Sequence, residues 1–581
     1  YPLLQWLRRA AQEAGKVIPV RLVKGAYWDT EIKRAQQLGL AAYPVFTRKA
    51  ATDVSYLACA WLLLAHPDSF YPQFATHNAF TLAWVTALAG DQDYEVQRLH
   101  GMGESLFAAL GDSFANPPAT RIYAPVGDHE SLLPYLVRRL LENGANSSFV
   151  NQLLDTGVGI DRLVANPCEQ VLQQDATANP HIPLPAQLFG EERVNSRGYD
   201  FSDPDTVRSI DAGLAGLCDE GREAAPLIER VSDYAVDARE IVDPSDRTRV
   251  VGKVRESTPE QVDQALMAAR LAQKDWDALG GEQRADCLRK TAVLLEENAT
   301  ELVAMIVREG GRTLADACAE LREAVDFCRY YASRAEVEFA APRILPGPSG
   351  ERNELALYGR GVFACISPWN FPLAIFTGQV AAALAAGNAV IAKPAGQTPL
   401  TAYRAVALFH RAGIPAGVLH FLPGPGGAIG ARLCADERLS GVAFTGSTET
   451  ARRIQQALAA RSGPIVPLIA ETGGQNVMIA DSSALLEQLV VDVMQSAFNS
   501  AGQRCSALRV LFIQSDIADV FIQRLKGAMD ELNIGDPMRW DTDIGPVIDS
   551  GACQQLEHHC QRMVREARLV HRLSLDERHL D

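Results

Sequence analysis

A cysteine and a glutamate, each in a glycine-flanked stretch, are the residues of this chain best suited to chemistry. Glu471 lies in ETGGQN at 471–476, and Cys505 lies in GQRCSALR at 502–509. A thiolate can attack a carbonyl carbon, and a carboxylate can activate the water that hydrolyses the resulting acyl-enzyme. The two stretches therefore predict acyl transfer, with an inert buried thiol and a solvent-facing glutamate as the alternative.

The segments that must position this pair alternate between strands and helices. From 357 to 480 the strand patterns are YGRGVFACISPWNFP, GNAVIAKPA, GVLHFLPGPG, LSGVAFTGS and PIVPLIAETGG. Repeated strand–helix units indicate a parallel sheet. Before them, from about 246 to 330, patterns such as PEQVDQALMAARLAQKDWDAL predict long amphipathic helices.

Residues 1–165 show a second alternation of strand and helix. The apolar runs VIPVRLVKG (17–25), PQFATH (72–77), EVQRLHG (95–101) and TRIYAPVG (120–127) predict strands. Four units are too few for an eight-unit barrel, which typically needs about 250 residues. Candidate functional residues cluster at the carboxyl ends of these strands, where barrel enzymes place their active sites.

One helical pattern in this region carries two adjacent guanidiniums. Arg138 and Arg139 are followed by Glu142, which can pair with Arg138 on one helix face. Two neighbouring guanidiniums suit a small carboxylate, which accepts bidentate hydrogen bonds. Taken alone, such a motif is more often a solvated charged face.

Composition excludes several classes of protein. Of 581 residues, 47% are apolar and 22% are charged, as in globular proteins. A net charge of −16 disfavours a nucleic-acid surface. The eleven cysteines include no CxxC pair, so we predict neither a metal site nor a disulfide framework, and a cytoplasmic location. The segment 179–205, rich in Pro, Gly and polar residues, predicts a linker or arm.

Five motifs together resemble the aldehyde dehydrogenase superfamily. They are SPWNFP (367–372), IAKPAGQTP (391–399), AFTGST (443–448), ETGGQN and GQRCSALR. The resemblance implies that Cys505 is the nucleophile and Glu471 the base. It also implies that Asn370, with the Cys505 backbone N–H, stabilises the oxyanion.

The same resemblance implies an NAD site and a substrate class. NAD would contact Ser367, Trp369, Lys393, Gly396, Gly426, Gly430, Thr445, Gly446 and Ser447. Many relatives have a Glu where this chain has Gly396, so NADP could be tolerated better than usual, with NAD the first choice. The stretch GQRCSALR resembles the subgroup that oxidises glutamate γ-semialdehyde, in which Ser506 would contact the substrate carboxylate.

The first region resembles the flavin-dependent proline dehydrogenase barrel, through VRLVKGAYWDTEIKRAQ, PVFTRKAATDVSYLACA, FATHNAFT, LHGMGE and RIYAPVGDHESLLPYLVRRLLENGANSSFVN. This implies that Arg138 and Arg139, braced by Glu142, bind the proline carboxylate, and that Tyr27, Leu99 and Tyr123 pack around the ring. FAD would contact Arg21, Val23, Lys24, Gly25, Ala26, Trp28, Thr47, Arg48, Lys49, Thr76, His77 and Asn78.

Both resemblances in one chain are typical of bifunctional enzymes of proline catabolism. The implied α/β fold is the C-terminal part of a (β/α)8 barrel (1–165) and a linker or arm (166–245), then an aldehyde dehydrogenase fold. That fold comprises N-terminal helices with a Rossmann-like NAD-binding domain (246–480) and a catalytic domain (481–581). We expect both domains to be truncated, because strands of the family's barrel and parts of its catalytic domain have no counterpart here.

The implied activity is oxidation of L-proline to 1-pyrroline-5-carboxylate, followed by oxidation of glutamate γ-semialdehyde to glutamate. A quinone at the membrane surface would accept electrons, with peripheral attachment to the inner membrane, and the full protein would be a homo-oligomer. Two alternatives stay open. Either the barrel is only a scaffold for aldehyde oxidation, or the protein is mainly a DNA-binding regulator through an upstream domain.

Overall fold

The computed structural model describes residues 1–25, 27–114, 116–128, 132–133, 135, 161, 164–174, 178–215, 221–231 and 237–574. The chain divides into two compact units, Tyr1–Leu188 and Phe189–Asp581. None of the described helices is long and apolar enough to cross a membrane.

The first unit is built on four parallel strands. Its elements are α1 (Pro2–Ala14), β1 (Ile18–Val23), α2 (Trp28–Leu38), α3 (Lys49–Leu64), β2 (Phe70–Ala75), α4 (Ala79–Ala89), β3 (Glu95–Leu99), α5 (Glu104–Ser113), β4 (Ala119–Tyr123) and α6 (Pro167–Leu172). The strands pair in the order β1-β2-β3-β4. The four predicted strands and their alternation with helices up to Tyr123 are therefore confirmed, and the helical pattern around Arg138 lies outside the described residues.

The core of the first unit explains its layering. Phe70, Phe74 and Val96 point from the sheet into a cluster with Leu63 of α3 and Val85 of α4, and all five side chains are buried. Burial of apolar area contributes about 25 cal/mol per Å². The sheet is therefore held against these helices by a continuous apolar layer.

The second unit begins with a helical layer. It contains α7 (Pro204–Ala215), β5 (Glu223–Ala224), β6 (Arg239–Asp243), β7 (Asp246–Val254), α8 (Pro259–Ala278), α9 (Gly280–Glu297), α10 (Ala299–Gly310), α11 (Leu314–Phe339), β8 (Arg343–Leu345) and β9 (Asn353–Leu355). Thr258 and Gln261 form a reciprocal capping box at the start of α8. The long amphipathic helices predicted for 246–330 are confirmed from Pro259 onward, whereas Asp246–Val254 forms the strand β7.

The rest of the second unit alternates strands and helices. The elements are β10 (Val362–Ile366), α12 (Ala374–Ala385), β11 (Ala389–Lys393), α13 (Pro399–Arg411), β12 (Leu419–Phe421), α14 (Ala431–Ala435), β13 (Leu439–Gly446), α15 (Thr448–Ala459), β14 (Leu468–Thr472), β15 (Asn476–Ala480), α16 (Leu486–Phe498), β16 (Leu508–Ile513), α17 (Ser515–Asp530) and α18 (Ser550–Glu566).

Five of these strands form one parallel sheet, in the order β12-β11-β10-β13-β14. Every residue of β10 and β11 is buried, which fits their unbroken apolar sequences. The strand order reverses between β10 and β13. In open α/β sheets such a reversal leaves a crevice at the carboxyl ends of the strands, where ligands bind.

Candidate functional site

The carboxyl edge of the five-stranded sheet gathers the residues of the AKPAG, FTGS and ETGG motifs. Ser367 follows β10, Lys393 ends β11, and Ser367 N donates to Lys393 O at 3.1 Å. Thr445 in β13 pairs in register with Glu471 in β14. Residues far apart in sequence therefore lie along one edge, on both sides of the reversal.

Lys393 occupies an enclosed position at this edge. Its side chain is only 4% exposed, and Nζ donates to Pro394 O at 2.9 Å. Burial lowers the pKa of Lys393 to about 8, while the nearby charge of Glu256 opposes the shift. A Cβ on Gly430 would lie 3.7 Å from Lys393 Cε, so the 426–430 turn packs closely over the lysine stem. Lys393 is thus held in place for contact with a ligand.

Ser447 forms the N-terminus of α15. Its Oγ accepts a hydrogen bond from Thr450 N at 3.2 Å, and the serine side chain remains exposed. Gly446 precedes it, and a Cβ there would lie 2.7 Å from the Phe444 ring. Backbone N–H groups at a helix N-terminus favour an anion such as phosphate.

The N-termini of α12 and α13, the helices that follow β10 and β11, are instead capped by buried glutamates. Glu320 Oε1 accepts from Leu373 N and Ala374 N at the start of α12, at 2.7 and 3.2 Å. Its pKa is raised to about 7 by burial, against the charge of Arg312. These caps leave α15, with its exposed Ser447, as the helix start next to β13 that is open to a ligand.

Glu309 performs the same task at α13. It accepts from Leu400 N at 2.6 Å and from Thr401 N and Oγ1 at 2.8 and 2.6 Å. Burial raises the pKa of this fully enclosed carboxyl to about 7, although its three donors favour ionisation. The sheet edge is therefore supported from the helical layer.

The Cys505 loop lies directly against the ETGGQN turn. A Cβ on Gly474 would be 2.3 Å from Cys505 O, so only glycine allows this approach. Asn476 Nδ2 donates to Cys505 O at 2.6 Å and to Ala507 O at 2.9 Å. The motifs that carry Glu471 and Cys505 are thus in contact, and the cysteine is exposed.

The SPWNFP loop is tied to the cysteine loop. Asn370 Nδ2 donates to Gln503 O at 2.9 Å, and Arg312 donates to Asn370 O from the helical layer. Arg312 also lies 3.0 Å from Glu320 and packs over the Phe371 ring. One buried ion pair therefore fixes the loop that contains Asn370, and this amide already contacts the cysteine loop.

The role of Arg504 was not predicted from the sequence. Its guanidinium contacts Asp316 at the start of α11, and its Nε donates to Ser500 Oγ at 3.2 Å. Ser500 also donates to Asp316 Oδ2 at 2.9 Å and has a φ of 55°, in the strained left-handed region. Asp316 thus anchors the loop before Cys505. Its charge in the apolar pattern of α11 was the available signal.

The other residues of this edge that were predicted to contact NAD or substrate are placed as follows. Trp369 is half-buried, and Thr445 Oγ1 accepts from Gln379 Nε2 at 3.0 Å. Gly396 and Gly426 have open space where a Cβ would point. Ser506, next to the cysteine, is exposed.

In the first unit, one group of expected residues meets around β1 and β4. Arg21 Nε donates to Gln97 Oε1 at 2.8 Å, and its guanidinium lies 5.1 Å from the centre of the Tyr123 ring. Gln97 donates to the buried Glu95, which Arg121 also contacts through two hydrogen bonds. Glu95 and Gln97 were missed because a short strand pattern does not show which polar residues face inward.

A second group surrounds Asp53 of α3. Lys24 and Lys49 both contact this carboxylate, and burial lowers the pKa of Lys24. Nearby, Trp28 Nε1 donates to Phe46 O at 2.8 Å. Val23 and Tyr27 are exposed, and Gly25 faces open space.

The remaining expected residues are engaged locally. His77 accepts from Leu99 N at 3.3 Å, and burial, with Arg98 nearby, lowers its pKa. Asn78 caps α4 and donates from its backbone to Thr76 Oγ1. Thr47 Oγ1 accepts from Asn179 N, and Arg48 donates to Ala178 O. Ala26, Arg138, Arg139 and Glu142 lie outside the described residues.

Comparisons with known proteins assign families to both regions. A model described as "Aldehyde dehydrogenase family" matches residues 232–578, and one described as "Proline dehydrogenase" matches residues 1–152. The chain is 50% identical to "Bifunctional protein PutA" of Escherichia coli over 98% of its length and 43% of that protein.

A further relative and a solved structure also match the chain. "1-pyrroline-5-carboxylate dehydrogenase" of Geobacillus thermodenitrificans is 35% identical over 60% of the chain and 68% of that protein. A crystal structure of a proline utilization A variant from Bradyrhizobium japonicum matches with a TM-score of 0.90 and 50% identity, covering 99% of this chain and 56% of that one. The chain spans about half the length of the bifunctional relatives it matches.

Proposed function

The chain belongs to the aldehyde dehydrogenase family and opens with a proline dehydrogenase region, and from this premise we propose that the whole protein catalyses two consecutive oxidations. The first converts L-proline to 1-pyrroline-5-carboxylate. After hydrolysis of the ring, the second converts glutamate γ-semialdehyde to glutamate. The relatives named for each reaction support this proposal.

The observation that carries the second reaction is the contact of Gly474 with the Cys505 carbonyl. Cys505, as a thiolate, attacks the aldehyde carbon and forms a C–S bond. The Asn370 amide and the Cys505 N–H donate to the oxygen that gains charge. After oxidation has produced a thioester, Glu471 accepts a proton from the water that cleaves it, and the thiol is released.

The residues at the sheet edge fit a dinucleotide. Lys393 offers a buried ammonium, and the glycine turn at 426–430 and Gly396 leave space for close approach. The exposed N-terminus of α15 suits a pyrophosphate. NAD, when bound, supplies the hydride acceptor. Ser506, adjacent to the nucleophile, would orient the substrate carboxylate.

The first unit fits a flavin through the residues at its strand ends. Arg21, held by Gln97 and stacked on Tyr123, supplies a fixed cation, and Val23, Tyr27 and Trp28 offer exposed apolar surface. FAD, when bound, supplies the hydride acceptor for proline oxidation. Leu99 and Tyr123 would pack on the ring of the substrate. Arg138 and Arg139 would bind its carboxylate.

We also propose a quinone as the electron acceptor, with peripheral membrane attachment, and self-association of the whole protein. A reduced flavin must be reoxidised, which supports an external acceptor. The β8–β9 hairpin exposes Ile344, Leu345 and Leu355, which supports contact with a second copy. Tethering the two sites would raise the local concentration of the intermediate.

The test follows NADH at 340 nm after L-proline and a flavin electron acceptor are added to the whole protein. We expect NADH from the wild type and none from Cys505→Ala, which should still reduce the acceptor. If NADH formed only from added 1-pyrroline-5-carboxylate, proline oxidation would be absent and the first unit would be a scaffold.

A further inference from the structure

A cation lies unexpectedly close to the turn that follows β11. Arg239, the first residue of β6, donates from Nη2 to Gly396 O at 2.8 Å. Its Nε also donates to Glu256 Oε1 at 3.2 Å, and the arginine side chain is 47% exposed. Arg239 is therefore held at the turn by two contacts and still reaches solvent.

Glu256 connects this arginine to Lys393. Its charge acts on Lys393, where it opposes the effect of burial on the lysine pKa. The 393–396 turn is thus bordered by the cations of Lys393 and Arg239 and by the carboxylate of Glu256. Just beyond the turn, Gln397 Nε2 donates to Asp549 Oδ2 at 3.0 Å.

Gly396 leaves this corner open. A Cβ at Gly396 would meet no heavy atom within 4 Å, so the space where a side chain of residue 396 would begin is free of protein. No side chain at position 396 can offer an acceptor to a ribose hydroxyl or repel an added phosphate. The only acidic side chain shown to contact Arg239 in the described part of the chain is Glu256.

Dinucleotide sites of α/β sheets discriminate at the 2′ position of the adenosine ribose. A carboxylate there binds the 2′-hydroxyl, whereas a nearby arginine accommodates a 2′-phosphate. The guanidinium makes charge-assisted hydrogen bonds to phosphate that are stronger than neutral ones. At this turn an arginine, Arg239, lies beside a glycine, Gly396. The arrangement is therefore the one that accommodates a 2′-phosphate.

We propose that Arg239 determines cofactor specificity, because it binds the 2′-phosphate of a phosphorylated dinucleotide. The protein then binds NADP at least as tightly as NAD. This inference rests on the proposed function, since it places the adenosine ribose at Lys393. Glu256 remains available as an acceptor for the unphosphorylated ribose.

Calorimetric titration with 2′,5′-ADP and with 5′-AMP tests this without any turnover. We expect 2′,5′-ADP to bind the wild type several-fold more tightly. Arg239→Gln should weaken binding of 2′,5′-ADP about tenfold, as expected for one charge-assisted hydrogen bond, and leave 5′-AMP unchanged. Arg289→Gln is the matched control, because Arg289 is a similarly exposed, ion-paired arginine, 42% exposed and in α9.

Gly396→Glu gives a second, independent variant. Its side chain has room, so the fold should persist, with an unchanged melting temperature. It should reverse the preference towards 5′-AMP. If the wild type bound 5′-AMP and gained nothing from the 2′-phosphate, or if Arg239→Gln changed neither ligand, this inference alone would fall. If neither ligand bound, the proposed dinucleotide site would fall with it.

Discussion

Each unit buries a carboxylate beside its parallel sheet, but the two units surround it differently. In the first unit, Glu95 accepts two hydrogen bonds from Arg121, at 2.8 and 2.7 Å, and these lower its pKa. In the second unit, Glu309 accepts hydrogen bonds from two backbone N–H groups and a hydroxyl, and burial raises its pKa to about 7 although the charge of Arg222 opposes the shift. One carboxylate is charge-paired, and the other caps a helix.

The difference extends to the candidate sites. In the first unit, Val23 and Tyr27 are exposed at the ends of the strands, and Arg21 is held mainly by residues of the sheet itself. In the second unit, helices α10 and α11 reach the site loops through Glu309, Asp316 and Glu320. The position of Cys505 therefore depends on a helical layer as well as on its own sheet.

Of the changes considered, Gly474→Ala should have the largest effect on the position of the Cys505 loop. Its Cβ would lie 2.3 Å from Cys505 O, so the turn or the cysteine loop must move. A small misplacement of catalytic groups can cost about a hundredfold in rate. We expect a loss of that order in kcat for semialdehyde oxidation, with proline oxidation retained.

Gly527→Ala in α17 is the control, because a Cβ there meets no heavy atom within 4 Å. It should leave both oxidations near wild-type rates. Full semialdehyde oxidation by Gly474→Ala would contradict the close packing of the two motifs.

Asp316→Asn should have an intermediate effect. It removes the charge that holds Arg504 and so loosens the loop before Cys505, and we expect kcat to fall about tenfold. The alkylation rate of Cys505 by iodoacetamide should change in parallel, since the thiol environment moves. Asp316→Glu should restore part of both. An altered KM with unchanged kcat and alkylation would instead place Arg504 on the substrate.

The smallest expected effect is a difference in how Glu309 and Glu95 change the stability of the protein with pH. With a raised folded-state pKa, Glu309 keeps its proton while the unfolded chain ionises. Its contribution to stability therefore falls as pH rises from about 4.5 to about 7. Glu95 has a lowered pKa, so its contribution is present above its ordinary pKa of 4.5 and is lost as pH falls further.

Denaturant unfolding of Glu309→Gln and Glu95→Gln, relative to wild type, measures both slopes. Glu309→Gln should gain about 2 kcal/mol relative to wild type between pH 5 and pH 7.5. Glu95→Gln should be destabilised most above pH 5 and less at pH 4. If the stability of both variants, relative to wild type, changed with pH in the same direction, the two carboxylates would not differ as described.

Much of the fold could be predicted because it depends on local patterns. The mainly apolar runs VIPVRLVKG and GNAVIAKPA both form parallel strands: β11 is fully buried, whereas the residues of β1 alternate between half-buried and exposed. The motifs that contain Glu471 and Cys505 could also be recognised from the sequence, because both residues lie in short glycine-rich stretches. Their roles, and the domain bounds at 165, 245 and 480, remain predictions.

The supporting contacts could not be predicted, because they join residues distant in sequence. Asp316 and Arg504 are 188 residues apart, and Arg239 and Gly396 are 157 apart. Nothing in the local pattern of either partner specifies the other. Glu309 and Glu320 look like ordinary helical glutamates until the fold buries them against the starts of α13 and α12.

Mass spectrometry of Glu471→Gln tests most directly whether Cys505 carries the acyl group and Glu471 activates the water that hydrolyses it. The variant is incubated with glutamate γ-semialdehyde and NAD, quenched in acid and digested. We predict one equivalent of NADH and a glutamyl thioester on the Cys505 peptide, because the water that cleaves it lacks a base. Steady turnover at the wild-type rate with no adduct on Cys505 would contradict the roles assigned to Cys505 and Glu471.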